Sequence, residues 1–292
     1  VKAAPFAYVR PATVDDAVEE LVRSDGGGKV LAGGQSLVPV LAMRLARPAT
    51  LVDLNSAAEL DALDRRGDQV RIGATVRQRV VERDPVAAAV PLLRMALPWV
   101  GHRELRSRGT VCGSIAHADP AAELPAVASC LGAELEVAGP GGTRTVPAAG
   151  FFSGAMTTAL GPEDVLTAVR FPVARQGEGF GFAEIARRHG DFALAGVVTR
   201  VLVADGIPRE AVLTAFGVSD RPVTRDVTEM LTLALDRGGN LADDLAEPAA
   251  ALAGELVDTA GDVHGSPAYR RRLVAALAAR ELAKAHVAAA RD

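Results

Sequence analysis

Aromatic side chains are scarce in this chain: of 292 residues, eight are Phe, two are Tyr and one is Trp. A surface that stacks nucleic-acid bases needs several rings, so that class is disfavoured. There is no excess of positive charge either. The formal net charge is −4, which argues against a general polyanion binder. Cysteine is rarer still. Only Cys112 and Cys130 occur, with no C-x-x-C pair, whereas a structural zinc site or an iron–sulfur cluster usually takes four good ligands. No metal site is expected, and two thiols in a chain this long point to a reducing compartment, so the expected location is cytoplasmic. Lys2, Pro5, Arg10 and Pro11 interrupt the N-terminal stretch, which does not read as a signal peptide. No run reaches the roughly eighteen apolar residues of a membrane span.

Familiar catalytic motifs are missing too. There is no G-x-G-x-x-G. Gly28-Lys29 is not a P-loop, because Arg23 stands where the first Gly belongs and Val30 where Ser or Thr should follow. Gly34-Gln35-Ser36-Leu37-Val38 resembles a nucleophile elbow, but Val38 replaces its last Gly. Ser36 then reads as a hydroxyl donor or a helix cap. His102, His117, His189, His264 and His286 show no metal-binding spacing. Trp99 reads as core packing, and Arg270-Arg271-Arg272 as a solvated helix face.

Apolar residues make up 49% of the chain, enough for two domains with cores of their own. Thr13-Val14-Asp15-Asp16 marks a helix start, with Thr13 as cap. A short strand over Lys29 to Ala32, a turn, a helix over Leu37 to Leu45 and a strand over Thr50 to Leu54 suggest a small βαβ unit. Further strands are expected over 70–74, 133–137, 143–146 and 164–171, with a helix over 120–131. Beyond a linker at Pro172 to Gly179, three strands are expected at 181–188, 194–204 and 211–218. An Ala-rich helical tail follows, broken near Gly238-Gly239 and over 261–267.

Two glycine-centred loops stand out. The first runs Val30-Leu31-Ala32-Gly33-Gly34-Gln35-Ser36-Leu37-Val38-Pro39. The second runs Arg108-Gly109-Thr110-Val111-Cys112-Gly113-Ser114-Ile115-Ala116-His117-Ala118-Asp119-Pro120, with Glu123-Leu124-Pro125 just beyond. Each places small residues and hydroxyls after an apolar segment and before a helical one, where backbone N–H groups can turn onto an anion. Two such loops can hold one elongated ligand, such as the diphosphate of a dinucleotide. Thr110 and Ser114 are candidate donors to phosphate, and Glu123 a candidate acceptor from sugar hydroxyls.

Together these segments resemble the FAD-binding medium subunit of the molybdenum hydroxylases, in particular the carbon monoxide dehydrogenase type. The matching stretches are Val30 to Pro39, Arg108 to Pro125, Asp164-Val165-Leu166 and the Arg187-Arg188-x-x-Asp191 turn, with Phe6, Tyr8, Arg10 and Pro11 at the start. The resemblance implies an α+β fold: an FAD domain at 1–174 in two subdomains (about 1–57 and 58–174), then a smaller domain at 179–290 with a three-stranded antiparallel sheet and helices. It implies FAD as cofactor. Lys29, Val30, Leu31, Ala32, Gly33, Gly34, Gln35, Ser36 and Leu37 would share the diphosphate with Gly109, Thr110, Cys112, Gly113 and Ser114. His117, Ala122 and Glu123 would touch the cofactor's diphosphate-proximal and hydroxyl-bearing parts. Val100, Gly101, Val165 and Leu166 would line its adenine or isoalloxazine, and Phe192 would stand beside the flavin ring. No catalytic side chain is implied.

The partners implied are a small iron–sulfur subunit and a large molybdenum subunit, in a heterotrimer that dimerises. Electrons would leave the FAD for an external acceptor. Cys112 departs from the family pattern by replacing a Gly, so its Cβ must point away from the diphosphate or the loop must shift. Two other functions remain open at this point: a free-standing flavoenzyme of the same fold, and a nucleotide-binding regulatory or assembly protein without redox turnover.

Overall fold

The computed structural model describes residues 2–291, which divide into two compact units. The first gathers residues up to 87 with 102–118 and 132–172. The second gathers 88–101 and 119–131 with everything from 173 onward. The segments 88–101 and 119–131, which the sequence reading assigns to the N-terminal domain, thus pack with the C-terminal sheet.

In the first unit, β1 (Ala7–Val9), β2 (Gly28–Leu31) and β3 (Thr50–Asp53) form a parallel sheet in the order β1-β3-β2. The helix Leu37–Ala42 links β2 to β3, which is the expected βαβ crossover. Register pairs Val30 with Val52 and Leu31 with Asp53, so both strands end at the same level. The chain between β1 and β2 is the helix Val14–Arg23. Its start is fixed as expected: Thr13 Oγ1 accepts the Asp16 N–H at 3.1 Å, and Asp15 and Asp16 face the positive end of the helix dipole.

A second, antiparallel sheet is built from β4 (Leu63–Arg66), β5 (Gln69–Gly73), β6 (Glu134–Gly139), β7 (Gly142–Pro147) and β10 (Val165–Pro172), in the order β4-β5-β10-β6-β7. Between β7 and β10 lies a small hairpin, β8 (Phe152–Gly154) with β9 (Thr157–Thr158). Val70, Ile72, Leu135 and Val137 are buried at alternate positions, as one-faced strands require. The helix Val111–His117 packs on β5 and β10 through Val111, Cys112 and Ile115.

The second unit holds β11 (Glu178–Ile185), β12 (Ala195–Ala204), β13 (Ile207–Phe216) and β14 (Val223–Asp226), antiparallel and in chain order. The three expected strands are present, and the sheet has a fourth. That strand is short and polar and pairs only with β13, the pattern of a protected edge that carries little hydrophobic signal. The long helix Pro267–Ala289 lies across β11 and β12 and buries Val274, Leu277 and Leu282. The helices Pro91–Ala96 and Glu123–Leu131 also belong to this unit. The Arg270-Arg271-Arg272 run is not the uniformly solvated face its sequence suggests. Arg271 and Arg272 are exposed, but Arg270 is buried. Its guanidinium donates to the carbonyls of Leu194 and Gly217, both at 2.6 Å, and pairs with Asp262 at 2.7 Å. A buried charge needs such partners, and sequence spacing alone does not reveal them.

Candidate functional site: two glycine turns in the first unit

The first turn leaves the C-terminal end of β2 and enters the helix Leu37–Ala42. In parallel α/β sheets, ligands gather outside the C-terminal strand ends. The second turn joins the helix Arg103–Arg106 to the helix Val111–His117. Far apart in sequence, the two turns touch. A Cβ on Gly33 would overlap the Arg108 carbonyl oxygen and lie 2.8 Å from the Gly109 Cα. Only a residue without a Cβ permits this approach of backbone to backbone. Gly34 serves differently: its φ of +73° turns the chain into the left-handed region, which glycine adopts at little cost.

The local hydrogen bonds leave donors free. Among the described residues, no acceptor meets the N–H groups of Gly34, Gln35 and Ser36 in the first turn, nor that of Cys112 in the second; the Val111 N–H is taken up by the bridge that pairs Arg77 with Thr110. Thr110 caps the second turn, its Oγ1 accepting the Gly113 N–H at 2.9 Å. Gly113 permits that cap, because a Cβ there would stand 2.6 Å from the same oxygen. Ser36 precedes its helix without a side-chain cap, so its hydroxyl is not spent on that role. Four uncommitted backbone donors at two adjoining turns suit a doubly charged, elongated anion. The residues present therefore fit a dinucleotide diphosphate.

Cys112 settles on one of its two alternatives. Its side chain points inward, buried, with Sγ 3.4 Å from the Ile72 carbonyl oxygen. Burial pushes the thiol up to about 12, so it is a packed, unreactive group. The turn keeps its shape because the added Cβ faces the core. This removes the ground for a non-redox reading that rested on a disturbed loop.

The structure brings Gly33 against Arg108 and Gly109, and Ala32 near Gly113; Lys29, Val30 and Leu31 belong to β2, and Leu37 opens the helix after the first turn. Ser114 lies within the helix behind the second turn, and half-buried His117 ends it. Val165 and Leu166 are buried at the start of β10 and belong to neither turn. Val100, Gly101, Ala122, Glu123 and Phe192 belong to the second unit. There, Phe192 is 71% exposed, while Trp99 is half-buried, its ring centroid 5.4 Å from that of His189 and 6.4 Å from that of Phe182. Glu123 opens its helix and is buried, not a surface carboxylate. In the same unit Glu184 is buried with no partner for either carboxylate oxygen. Burial, and then the charge of Glu123, push its carboxyl up to about 8.

Three residues near the turns escaped the sequence reading. Asn55 follows β3 and donates from Nδ2 to the Ala32 carbonyl at 2.9 Å. Arg77 donates to the Arg108 carbonyl at 2.8 Å and to Asn55 Oδ1. Gln78 donates from its backbone N–H to the Gly109 carbonyl at 2.8 Å. A signal for Asn55 was available: it stands just past the C-terminal end of a parallel strand, beside the end of β2. Arg77 and Gln78 carried no local signal.

Comparison with known proteins accords with this geometry. Residues 4–174 match the family model described as the FAD binding domain in molybdopterin dehydrogenase. Residues 180–285 match the CO dehydrogenase flavoprotein C-terminal domain. The nicotine 6-hydroxylase medium subunit of Paenarthrobacter nicotinovorans is 36% identical, over 98% of this chain and 99% of its own. The carbon monoxide dehydrogenase medium chain of Afipia carboxidovorans is 32% identical, over 96% of each. Among solved structures, a carbon monoxide dehydrogenase from Hydrogenophaga pseudoflava superposes with a TM-score of 0.91 at 30% identity, over 98% of this chain and 99% of the other. The chain belongs to the FAD-binding medium subunits of the carbon monoxide dehydrogenase-like molybdenum hydroxylases, and is thus an oxidoreductase subunit.

Proposed function

We propose that this chain is the electron-relay subunit of a molybdenum hydroxylase. It would take electrons from an iron–sulfur chain and pass them through FAD to an external acceptor, while a separate molybdenum chain oxidises the substrate. The observation that carries the reading is the pair of abutting turns, with free N–H groups on Gly34, Gln35, Ser36 and Cys112. When bound, FAD supplies the capacity to take up and release electrons. The chain's own part is to hold it. Gly33 lets the two turns approach, and the backbone donors would hydrogen-bond the diphosphate oxygens. The Thr110 cap keeps the second turn in shape.

The assembly we propose is a heterotrimer of this chain with an iron–sulfur and a molybdenum subunit, dimerised to a heterohexamer. Relatives described as medium chains or medium subunits support it. A cytoplasmic location is part of the same reading, in keeping with two free, buried thiols. Among the described residues, no helix is long and apolar enough to cross a membrane.

The test is co-purification of the tagged chain. A complex containing FAD, iron and molybdenum is expected, together with an isolated chain that binds FAD but does not turn over. Turnover of an organic substrate by the isolated chain, at the roughly 1–1000 per second of ordinary enzymes, would overturn the relay in favour of a free-standing flavoenzyme.

A further inference from the structure

The two turns do not hold each other. Among the described residues, no hydrogen bond runs directly from residues 32–36 to residues 107–114. What joins them is a side-chain path from outside both. The Ala32 carbonyl accepts from Asn55 Nδ2 at 2.9 Å. The Asn55 Oδ1 accepts from Arg77, and a second Arg77 nitrogen donates to the Arg108 carbonyl at 2.8 Å. Ala32 and Arg108 immediately precede Gly33 and Gly109, the two glycines in contact. A trans peptide points its C=O and N–H in opposite directions. Holding these two carbonyls therefore fixes the peptide planes that lead into both turns.

The path is anchored at its rear. Asp53, the last residue of β3, accepts the Asn55 N–H at 3.0 Å. Tyr8, from β1, donates its hydroxyl to the other Asp53 oxygen. Burial works against charge on Asp53, yet the hydrogen bonds from Tyr8 and Asn55 hold its carboxyl below the usual value. The position of Asn55 is thus tied to the parallel sheet. Arg77 completes the device electrostatically. Both of its hydrogen-bond acceptors are neutral, and among the described residues no carboxylate lies within ion-pair distance of it. Asp61 and Asp53 act on it at longer range, and its positive charge also favours an anion at the junction of the turns.

We infer that Asn55 and Arg77 are positioning residues: a brace that sets the spacing and orientation of the two glycine turns, and thereby the chain's affinity for the diphosphate of FAD. The inference rests on the FAD reading above. It assigns a binding role to two residues outside both glycine motifs, neither of which need touch the cofactor.

The experiment titrates FAD, ADP and riboflavin into the full apo chain, following flavin fluorescence and, for ADP, competition with FAD. The variants are Asn55→Ala, Asn55→Asp, Arg77→Met, Arg77→Lys and Asn55→Ala/Arg77→Met. Each truncation should weaken FAD and ADP about tenfold to a hundredfold, the cost of one hydrogen bond involving a charged group. Riboflavin, which lacks the diphosphate, should bind each variant as it binds the wild type. Asn55→Asp keeps the acceptor for Arg77 but loses the donor to Ala32, and should also weaken FAD. Arg77→Lys keeps a charged donor for the Arg108 carbonyl and should fall between wild type and Arg77→Met. Because the two residues share one path, the double variant should lose little more than the worse single one.

Circular dichroism and the unfolding midpoint identify folded variants. If a truncation fails to fold, Arg77→Lys and Asn55→Asp carry the test. Folded variants that bind FAD within about twofold of wild type, or that lose FAD and riboflavin affinity equally, would overturn the brace while leaving the FAD reading intact. A wild-type chain that binds no FAD would overturn both.

Discussion

Replacing Gly33 by alanine adds one carbon where the structure has no room. The new Cβ would overlap the Arg108 carbonyl oxygen and sit 2.8 Å from the Gly109 Cα and 3.0 Å from the Arg108 carbonyl carbon. All three are backbone atoms, so no rotamer change relieves the clash. Ordinary carbon–carbon contact lies at about 3.5–4.0 Å, so the turns must part by about an ångström. Overpacking of this kind costs about 1–3 kcal/mol of stability. A displacement of about an ångström between parts of a binding constellation costs on the order of a hundredfold in function.

Gly34→Ala is the internal control. A Cβ there meets only the Val38 and Leu31 side chains, at 3.2 and 3.3 Å, and these can yield. Its cost is the left-handed backbone, about 1–2 kcal/mol, with the spacing of the turns preserved. Apo chains would be titrated with FAD by fluorescence and melted without ligand. Gly33→Ala should lose about a hundredfold in FAD affinity, and Gly34→Ala much less at a similar unfolding midpoint. A Gly33→Ala chain with wild-type affinity would refute the claim that the approach of the two turns makes the binding site.

Cys112 should be silent. With the thiol pushed up to about 12 by burial, thiol reagents at pH 8 should label it only after denaturation, and Cys112→Gly should keep its FAD. Rapid native labelling, or loss of flavin, would contradict this. Glu184 should give the second unit a pH dependence. Its carboxyl lies at about 8 when folded against about 4.3 unfolded, so the native state holds the proton more tightly. Stability from this group is then full at low pH and declines as pH rises through that window. One pK unit is worth about 1.4 kcal/mol, so Glu184→Gln should gain about 2–4 kcal/mol at pH 8.5 and little at pH 4. Urea unfolding at the two pH values measures this, and an equal effect at both would show that desolvation of Glu184 is not the cause.

Local signals determined part of this protein from sequence alone. The Thr13 cap, the β2–turn–helix–β3 unit and the β6–β7 hairpin all follow from residues close together in the chain. So do the two glycine turns, because caps, turns and periodic apolar faces are set within a few residues. What the chain brings together across long separations was decided only by the tertiary structure. The contact of Gly33 with Arg108 and Gly109 depends on how two loops pack, which no motif encodes. The inward turn of Cys112 depends on the face that its helix lays on β5 and β10. Arg270 sits in what looks like a solvated run, but Asp262 and the carbonyls of Leu194 and Gly217 come from other parts of the chain to satisfy it. Asn55 and Arg77 belong to neither motif, and only their hydrogen bonds to Ala32 and Arg108 give them a part. Turns are local conformations and can be read in sequence. A binding site is a set of distances between turns, and those distances exist only once the chain has packed.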